Sequence, residues 1–328
     1  MKMLKAEYDA RGPVAHDSIR AVEFTLPPLQ TGEALIAVVA AVINPSDVLT
    51  LTGQYGVLPP LPAIGGSEGV GRVIELGPDT TGVAVGQLVL LPRGGTWVTH
   101  LVADAKRLIA LPDGADPQQL AMLTVNPPTA ALMLSEFVTL GAGDWVIQNV
   151  ANSAVGGYLV QLAKLRGYRT VNIVRREAAV AGVKELGGDV VVVDGDDLAK
   201  RVKAAVAGAP IKLGIDAVGG RATERLADCL SESATIVNYG QMSGESCMLS
   251  ARAIVFNNVA LRGFWLVRWF RTATREAQTA LYSEMTGLVA SGKLHARIQA
   301  TYPVERIKDA VMAAAAGERD GKILVVPA

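Results

Sequence analysis

The chain is organised around the stretch Asp144-Trp-Val-Ile-Gln-Asn-Val-Ala-Asn-Ser-Ala-Val-Gly-Gly157, which continues to Tyr168-Arg-Thr-Val-Asn-Ile-Val-Arg-Arg-Glu177. Apolar residues at 145–150 indicate a strand, and a turn of small and amide residues leads into a helix over about residues 155–166. A second apolar strand follows at 169–174. This order predicts a right-handed strand-helix-strand unit whose helix N-terminus can bind an anion.

The turn after the first strand is a weak match to the pattern G-x-G-x-x-G of dinucleotide-binding proteins. Val150, Ser153 and Gly156 stand where the pattern favours glycine, so the strand and helix around the turn carry the prediction of nucleotide binding. A purely structural turn is the alternative.

The second strand ends at Arg175-Arg176, where an NAD-binding fold usually has a carboxylate for the ribose 2′-hydroxyl. Two arginines at this place favour a 2′-phosphate and therefore NADPH, and an ordinary solvated charge pair is the alternative.

Length and composition limit the class of protein. A chain of 328 residues with 50% hydrophobic residues predicts two domains of a compact α/β protein. The 31 basic and 31 acidic residues balance, which argues against nucleic acid or an anionic membrane as a partner. The apolar run at 34–43 is shorter than the roughly 20 residues that a membrane helix needs. We find no secretion-signal pattern and expect a cytoplasmic protein.

The cysteines and histidines are few and far apart in the sequence. They are Cys229, Cys247, His16, His100 and His295. Their spacing matches no metal site, so we expect no bound metal, and in a reducing compartment we expect no disulfide.

The first 120 residues alternate short apolar runs with Gly and Pro turns and show almost no helical periodicity. They predict a β-rich, barrel-like domain with strands at 34–42, 70–76, 87–91 and 99–102. A helix is predicted over residues 117–137, with Asp116 as its cap and Pro117 at its first position.

From Asp144 onward, strands alternate with amphipathic helices, which predicts a doubly wound parallel sheet that binds its ligand at the carboxyl ends of the strands. The six predicted strands are 145–150, 169–174, 190–193, 213–218, 235–239 and 260–264. A helix at 275–291, a strand at 298–302, a helix at 304–315 and a strand at 322–326 follow, and we expect this tail to return to the first domain. The predicted domains are therefore 1–122, 123–266 and a returning segment, 267–328.

Eight short runs, spread over nearly the whole chain, form a distinctive combination. The runs are Ile43-Asn-Pro-Ser-Asp47, Gly53-Gln-Tyr-Gly56, Gly65-Gly-Ser-Glu-Gly-Val70, Val125-Asn-Pro-Pro-Thr-Ala130, Val146-Ile-Gln-Asn149, Asn152-Ser153, Asn172-Ile-Val-Arg-Arg176 and Arg262-Gly-Phe-Trp-Leu266. Together they resemble the trans-2-enoyl thioester reductases, a zinc-independent, quinone oxidoreductase-like branch of the medium-chain dehydrogenase/reductase superfamily. The resemblance implies a chaperonin-10-like β-barrel catalytic domain, built from both ends of the chain, and a Rossmann nucleotide-binding domain between them.

The resemblance also implies a reaction without zinc. Zinc-dependent relatives have Cys and His where this chain has Asn44-Pro-Ser-Asp47 and Ser67-Glu68, so no thiolate or imidazole is present to hold the metal. The implied activity is NADPH-dependent reduction of the carbon-carbon double bond of trans-2-enoyl thioesters of CoA or acyl carrier protein.

Three side chains are predicted to act in catalysis. Tyr55 matches the family's proposed proton donor, and its hydroxyl can donate a proton or orient a water. Asn126 matches an asparagine that faces the nicotinamide and the substrate, and Trp265 would border the acyl pocket. The alternatives are an aromatic that packs its loop for Tyr55 and a cap on the Pro127-Pro128 turn for Asn126.

The family assigns NADPH contacts to a larger set, shared between the pyrophosphate, the 2′-phosphate and the nicotinamide half. In chain order they are Asn152, Ser153, Ala154, Val155, Gly156, Arg175, Arg176, Tyr239, Gly240, Gln241, Met242, Phe264, Trp265, Leu266 and Lys322. Two positions depart from the family pattern. Ala154 stands where the family usually has glycine, and Glu177 stands where many relatives have a third basic residue.

Two other functions remain open from the sequence, an NADPH:quinone oxidoreductase and an NADPH-binding protein without turnover. The resemblance suggests a homodimer formed through the sixth strands. Four arginines, Arg262, Arg268, Arg271 and Arg275, would meet CoA phosphates or an acidic carrier protein, or would simply be solvated.

Overall fold

The computed structural model describes residues 2–317 and 319–327. The chain forms two compact units, one made of the chain up to Val125 together with the chain from Tyr282 onward, the other of Asn126–Leu281. The predicted boundaries after residues 122 and 266 lie 3 and 15 residues before these divisions. The second difference arises because the chain that follows the sixth strand of the parallel sheet stays with the second unit.

The first part of the chain is rich in strands, and strands alternate with helices from residue 145 onward. The strands are β1 (Leu4–Tyr8), β2 (Arg20–Glu23), β3 (Glu33–Ile43), β4 (Ala63–Ile64), β5 (Gly69–Leu76), β6 (Leu88–Leu90), β7 (His100–Asp104), β8 (Ile109–Ala110), β9 (Trp145–Gln148), β10 (Arg169–Val174), β11 (Val190–Val193), β12 (Ile211–Asp216), β13 (Thr235–Asn238), β14 (Ala260–Gly263), β15 (Ile298–Tyr302) and β16 (Lys322–Val325). The α-helices are α1 (Pro45–Leu51), α2 (Pro117–Leu120), α3 (Asn126–Met133), α4 (Ala154–Leu165), α5 (Val180–Glu185), α6 (Leu198–Ala205), α7 (Gly220–Ala227), α8 (Leu266–Thr272), α9 (Arg275–Ala290) and α10 (Ile307–Ala315).

The first unit contains two sheets, and β3 is the central strand of the larger one. One has the order β2-β1-β4, and the other has the order β15-β16-β3-β5-β6-β8, with β7 also paired to β3. The residues of β3 alternate between buried and half-buried along its first half, as expected for a strand with one face on a core. The tail returns as predicted, because β16 pairs antiparallel with β3 and Leu324 lies opposite Val42.

The second unit contains a six-stranded parallel sheet in the order β11-β10-β9-β12-β13-β14. Numbered along the chain, this is the order 3-2-1-4-5-6 of a doubly wound dinucleotide-binding fold, which confirms that prediction. One part of its core is a cluster of apolar side chains that includes Ile147, Val171 and Ile236. Because all six strands pair in parallel, their carboxyl ends share one edge of the sheet.

Two helix predictions were wrong. The helix predicted over 117–137 is two helices, α2 and α3, and the second begins at Asn126 with two prolines in its first turn, where no N–H donor is needed. The first domain also contains a helix that was not predicted, α1, which starts at Pro45 and has a capping box formed by Asn44 and Asp47. Its 7 residues are too few to show a periodic pattern.

In the described part of the chain, none of the helices combines the length and the apolar character that crossing a membrane requires. Among residues 2–317 and 319–327, no three His, Cys, Asp or Glu side chains are grouped as metal ligands would be.

Candidate active site

The turn between β9 and α4 has the geometry of a helix start that leaves N–H groups exposed to a ligand. Val150 adopts φ 51°, a left-handed conformation that is unfavourable for a β-branched residue. Ser153 caps α4, since its hydroxyl accepts a hydrogen bond from the Gly156 N–H at 3.0 Å. A Cβ on Gly156 would lie 2.6 Å from the Ala151 carbonyl oxygen, so only glycine fits there.

The same turn is tied to the end of β13. The Tyr239 phenol makes a side-chain hydrogen bond with Ser153, and burial raises the pKa of Tyr239 to about 12. The phenol therefore stays neutral at physiological pH. Two of the predicted cofactor contacts, which are 86 residues apart in sequence, thus meet at one edge of the sheet.

Arg175 and Arg176 directly follow β10, the strand next to β9. Arg175 is exposed, and Arg176 is half-buried at the start of a short 3-10 helix, Glu177–Ala179. Both residues lie just beyond the carboxyl end of their strand, at the same edge of the sheet as the turn. A phosphate bound at this edge would lie near the guanidinium groups of these two consecutive arginines.

A buried carboxylate that was not predicted from the sequence joins three strand ends at this edge. Asp216, the last residue of β12, is fully buried and accepts hydrogen bonds from Asn149 at 2.6 Å, Thr223 at 2.6 Å and Asn238 at 3.0 Å. The N–H of Val218 also donates to it at 2.9 Å. The Asp216 carboxylate therefore holds these strand ends in place beside the site. In the sequence, the only indication of this role is a single acidic residue at the end of an apolar strand.

A cleft of about 550 Å³ lies beside the ends of β13 and β14. It is lined by the predicted Tyr239, Gly240, Gln241, Phe264 and Trp265, and by Asn238, Glu245, Ser246, Cys247, Gly263 and Arg268. Of the other predicted contacts here, Leu266 is buried and Met242 is exposed, and neither lines the cleft.

Aromatic and cationic side chains stack around this cleft. The Arg271 guanidinium lies 5.4 Å from the centre of the Trp265 ring, and the Phe137 and Phe264 rings meet edge to face at 6.1 Å. Such contacts hold flat side chains in fixed orientations. The cleft therefore has an apolar aromatic wall with a cationic rim.

Tyr55 belongs to the first unit and lies in the loop after α1. The backbone N–H groups of Gln54 and Tyr55 both donate to the Leu49 carbonyl, at 2.8 and 3.2 Å, which closes the loop onto the last turn of α1. Gly53 has φ 77° and allows the chain to reverse. The Tyr55 side chain is half-buried.

Asn126 is the first residue of α3 and the first of the second unit, and its side chain is buried. The two residues before it are held by hydrogen bonds to the buried Glu68 carboxylate. The backbone just before Asn126 is therefore held in place by the Glu68 carboxylate.

Lys322 is the first residue of β16, in the first unit, and is buried. Its ammonium group donates to Asn44 Oδ1 at 2.5 Å. Burial lowers the pKa of Lys322 to about 8, while the nearby Glu68 carboxylate acts in the opposite direction. Its predicted contact with a cofactor stays a prediction.

The structure thus brings most of the predicted cofactor residues to one edge of the parallel sheet in the second unit. Tyr55 and Lys322 belong to the first unit, and the roles of all the site residues stay predictions.

Two family models match the chain. The model described as an alcohol dehydrogenase GroES-like domain matches residues 30–113, and the model described as a zinc-binding dehydrogenase matches residues 154–283. The first match lies in the first unit and confirms the predicted chaperonin-10-like domain. The second covers α4 and most of the parallel sheet.

Comparison with individual proteins shows which members of this superfamily the chain resembles. The mitochondrial enoyl-acyl-carrier-protein reductase of Arabidopsis thaliana is 38% identical over 278 residues, which cover 82% of this chain and 74% of that protein. The complex of Etr1p with NADP and crotonyl-CoA has a TM-score of 0.90 at 25% identity, covering 99% of this chain and 100% of that one.

Two further solved structures are similar over the whole fold. The mitochondrial 2-enoyl thioester reductase Etr1p/Etr2p heterodimer of Candida tropicalis has a TM-score of 0.88 at 26% identity, with 99% and 100% of the two chains covered. A protein of Bacillus thuringiensis described as an NADPH:quinone reductase has a TM-score of 0.90 at 25% identity, with both chains covered completely. Because the sequence identity to the Arabidopsis protein extends over most of both chains, this chain belongs to the enoyl-acyl-carrier-protein reductase family of the medium-chain dehydrogenase/reductase superfamily.

Proposed function

We propose that this protein is an oxidoreductase that uses NADPH to reduce the carbon-carbon double bond of trans-2-enoyl thioesters. The observation that carries the proposal is its membership of the enoyl-acyl-carrier-protein reductase family over most of its length. The similarity of its fold to Etr1p in complex with NADP and crotonyl-CoA supports both the cofactor and the substrate class.

The residues at the edge of the parallel sheet fit NADPH. The first N–H groups of α4, at Ala154 and Val155, come before the helical hydrogen-bonding pattern begins and are suited to a pyrophosphate. The close packing of Gly156 against the turn keeps this helix start compact. Arg175 and Arg176 supply the positive charge that a 2′-phosphate needs.

NADPH, when bound, supplies the hydride that adds to the β-carbon of the enoyl thioester. The protein's own part is to hold the substrate and to deliver a proton to the α-carbon. We assign proton delivery to the Tyr55 hydroxyl, which donates it directly or orients a water. The aromatic wall of Phe264 and Trp265 excludes water from the apolar acyl group.

An NADPH:quinone reductase is the nearest alternative. The Bacillus thuringiensis protein has the same fold at the same TM-score as Etr1p, so the fold does not separate the two activities. The sequence favours the enoyl thioester reductase. Its identity to the Arabidopsis reductase, 38%, is higher than its 25% identity to the Bacillus thuringiensis protein, and the Gly-Gln-Tyr-Gly run that contains Tyr55 is present.

The test is NADPH oxidation by the wild-type protein with crotonyl-CoA and longer enoyl-CoAs, beside 1,4-benzoquinone and 9,10-phenanthrenequinone. We expect kcat/KM for the preferred enoyl-CoA in the ordinary enzyme range, about 10⁴ M⁻¹s⁻¹ or more, and much lower values for the quinones. Turnover of quinones alone would support the alternative. NADPH binding that raises the Tm without turnover of any acceptor would indicate a binding protein.

We also propose that the protein forms a homodimer through β14. This strand lies at the end of the six-stranded sheet, and all four of its residues are exposed. Beside it, a π-helical turn, Arg252–Phe256, exposes 69% of Val255 and 76% of Phe256. An exposed strand edge next to exposed apolar side chains favours pairing with another chain, and a twofold axis would pair β14 with its own copy.

A charge on this surface is expected to separate the subunits. The variant Phe256→Glu would place a carboxylate in the apolar contact, and we expect light scattering after size exclusion to show a dimer for the wild type and a monomer for the variant. The matched control is Val85→Glu, at a site in the first unit that is 61% exposed. A monomeric wild type, or an equal effect of both variants, would contradict the assignment.

A further inference from the structure

A fully buried carboxylate, Glu68, holds the chain that leads into Asn126. One of its oxygens, Oε2, accepts three hydrogen bonds, from the Thr124 N–H at 3.0 Å, the Thr124 hydroxyl at 2.8 Å and the Val125 N–H at 3.0 Å. These are the last two residues before Asn126. The direction in which the chain enters α3 is therefore set by a side chain from another part of the sequence.

The other oxygen of Glu68 holds the start of α1. Glu68 Oε1 accepts a hydrogen bond from Asn44 Nδ2 at 2.7 Å, and the Asn44 N–H donates to Asp47 at 2.7 Å in the capping box. From Asn44, α1 leads to the loop that contains Tyr55, and the Tyr55 N–H donates back to the carbonyl of Leu49 in α1. One carboxylate thus connects the two segments that carry Tyr55 and Asn126.

Lys322 fixes the orientation of the Asn44 side-chain amide in this cluster. Its ammonium group only donates, so its bond to Asn44 Oδ1 turns the amide NH₂ of Asn44 toward Glu68. Burial raises the pKa of Glu68, and the Asn44 hydrogen bond, the Lys322 charge and the Thr124 hydrogen bonds oppose that shift. The four groups that hydrogen-bond to the Glu68 carboxylate are the Asn44 amide, the Thr124 N–H and hydroxyl, and the Val125 N–H, and all of them donate, so both of its oxygens act as acceptors.

We propose that Glu68 is a positioning residue for the reaction, because its two oxygens tie the segment leading to Tyr55 and the segment leading to Asn126 into one buried cluster. The inference rests on the proposed function, with the role proposed for Tyr55 and the role that the family resemblance implies for Asn126. It adds a residue that touches neither cofactor nor substrate and acts through the backbone of both segments.

The variant Glu68→Gln removes this double acceptor while keeping the shape of the side chain. Its amide nitrogen must face either the Asn44 NH₂ or the donors of Thr124 and Val125, so one of the two segments loses its anchor. We expect kcat with crotonyl-CoA to fall by about 10-fold to 100-fold, because small displacements of reacting groups are costly. The KM values for NADPH and crotonyl-CoA are expected to change by less than about 3-fold.

A milder pair of variants tests the same contact without a change of charge. Thr124→Val removes only the hydroxyl that donates to Glu68, and kcat should fall by about 3-fold to 10-fold, whereas Thr124→Ser keeps the hydroxyl and should restore the wild-type kcat. The matched control is Thr96→Val. Thr96 is also fully buried, but its hydroxyl donates at 3.0 Å to the main-chain carbonyl of Glu68 and not to the carboxylate.

Hydrogen exchange gives a readout that does not depend on activity. In Glu68→Gln and Thr124→Val we expect faster exchange in peptides that cover residues 44–56 and 120–125, and in Thr96→Val we expect wild-type exchange there and a kcat within about 2-fold of wild type. If Glu68→Gln does not fold, the comparison of Thr124→Val with Thr96→Val tests the positioning role of Glu68.

Equal losses of kcat in Thr124→Val and Thr96→Val, or unchanged exchange in both segments, would overturn the inference. A wild-type protein that turns over no enoyl thioester would refute the proposed function instead, and the exchange measurement would still test the anchoring.

Discussion

Replacing Tyr55 by phenylalanine is expected to lower kcat with crotonyl-CoA by about 100-fold or more, in the range measured for the loss of a general acid. The substitution removes one hydroxyl from a half-buried side chain and leaves the loop intact, because the hydrogen bonds that close the loop come from the backbone of residues 54 and 55. NADPH should bind the variant with wild-type affinity, since the predicted cofactor contacts do not include Tyr55. Steady-state kinetics and NADPH titration by fluorescence measure the two effects separately.

The control for this variant is Tyr302→Phe. Tyr302 lies in the same unit, on β15, and its ring stacks with Arg306 at 5.4 Å, a contact that phenylalanine preserves. Loss of a hydroxyl at this site should leave kcat unchanged. If Tyr55→Phe retains wild-type kcat, proton delivery by Tyr55 is wrong, and the alternative interpretation of Tyr55 as a packing residue would be correct.

The double variant Arg175→Ala and Arg176→Ala is expected to raise the KM for NADPH by about 100-fold and to leave the KM for NADH almost unchanged. Each hydrogen bond from an arginine to a phosphate contributes about 1.5 kcal/mol or more, and two of them correspond to about two powers of ten. Only NADPH carries the 2′-phosphate. The ratio of kcat/KM for the two cofactors therefore measures this contact directly.

Arg169→Ala is the matched control for the arginine pair. Arg169 begins the same strand, β10, at its amino end, and its guanidinium stacks on the Trp145 ring at 4.8 Å. Replacing Arg169 removes a positive charge at the end of β10 opposite to the predicted phosphate site. An unchanged KM for NADPH in the double variant would show that the pair is an ordinary solvated charge run.

The regular parts of the parallel sheet could be predicted from the sequence. Strands β10 and β11 begin and end at the predicted residues, and so does β15 in the first unit, because each is a short apolar or alternating run between turn residues. Helix α3 could not be separated from α2, since all eight of its residues are buried and it has no polar face to mark its boundaries.

The edge of the sheet that forms the candidate site was also predictable, because the carboxyl ends of parallel strands share one edge. The hydrogen-bonded clusters behind it were not. Glu68 joins Asn44 and Thr124, which are 24 and 56 residues away, and Lys322 joins Asn44 across 278 residues. Such contacts depend on strand register and tertiary packing, for which a single sequence contains no local pattern.

The most direct test of the account is to follow the reduction of crotonyl-CoA with NADPH deuterated at C4 of the nicotinamide, in light water, by mass spectrometry and NMR of the product. Butyryl-CoA with one deuterium at the β-carbon is expected, and the same reaction in heavy water with ordinary NADPH should place deuterium at the α-carbon. A wild-type protein that forms no butyryl-CoA, or a product with the cofactor deuterium at the α-carbon, would contradict the account.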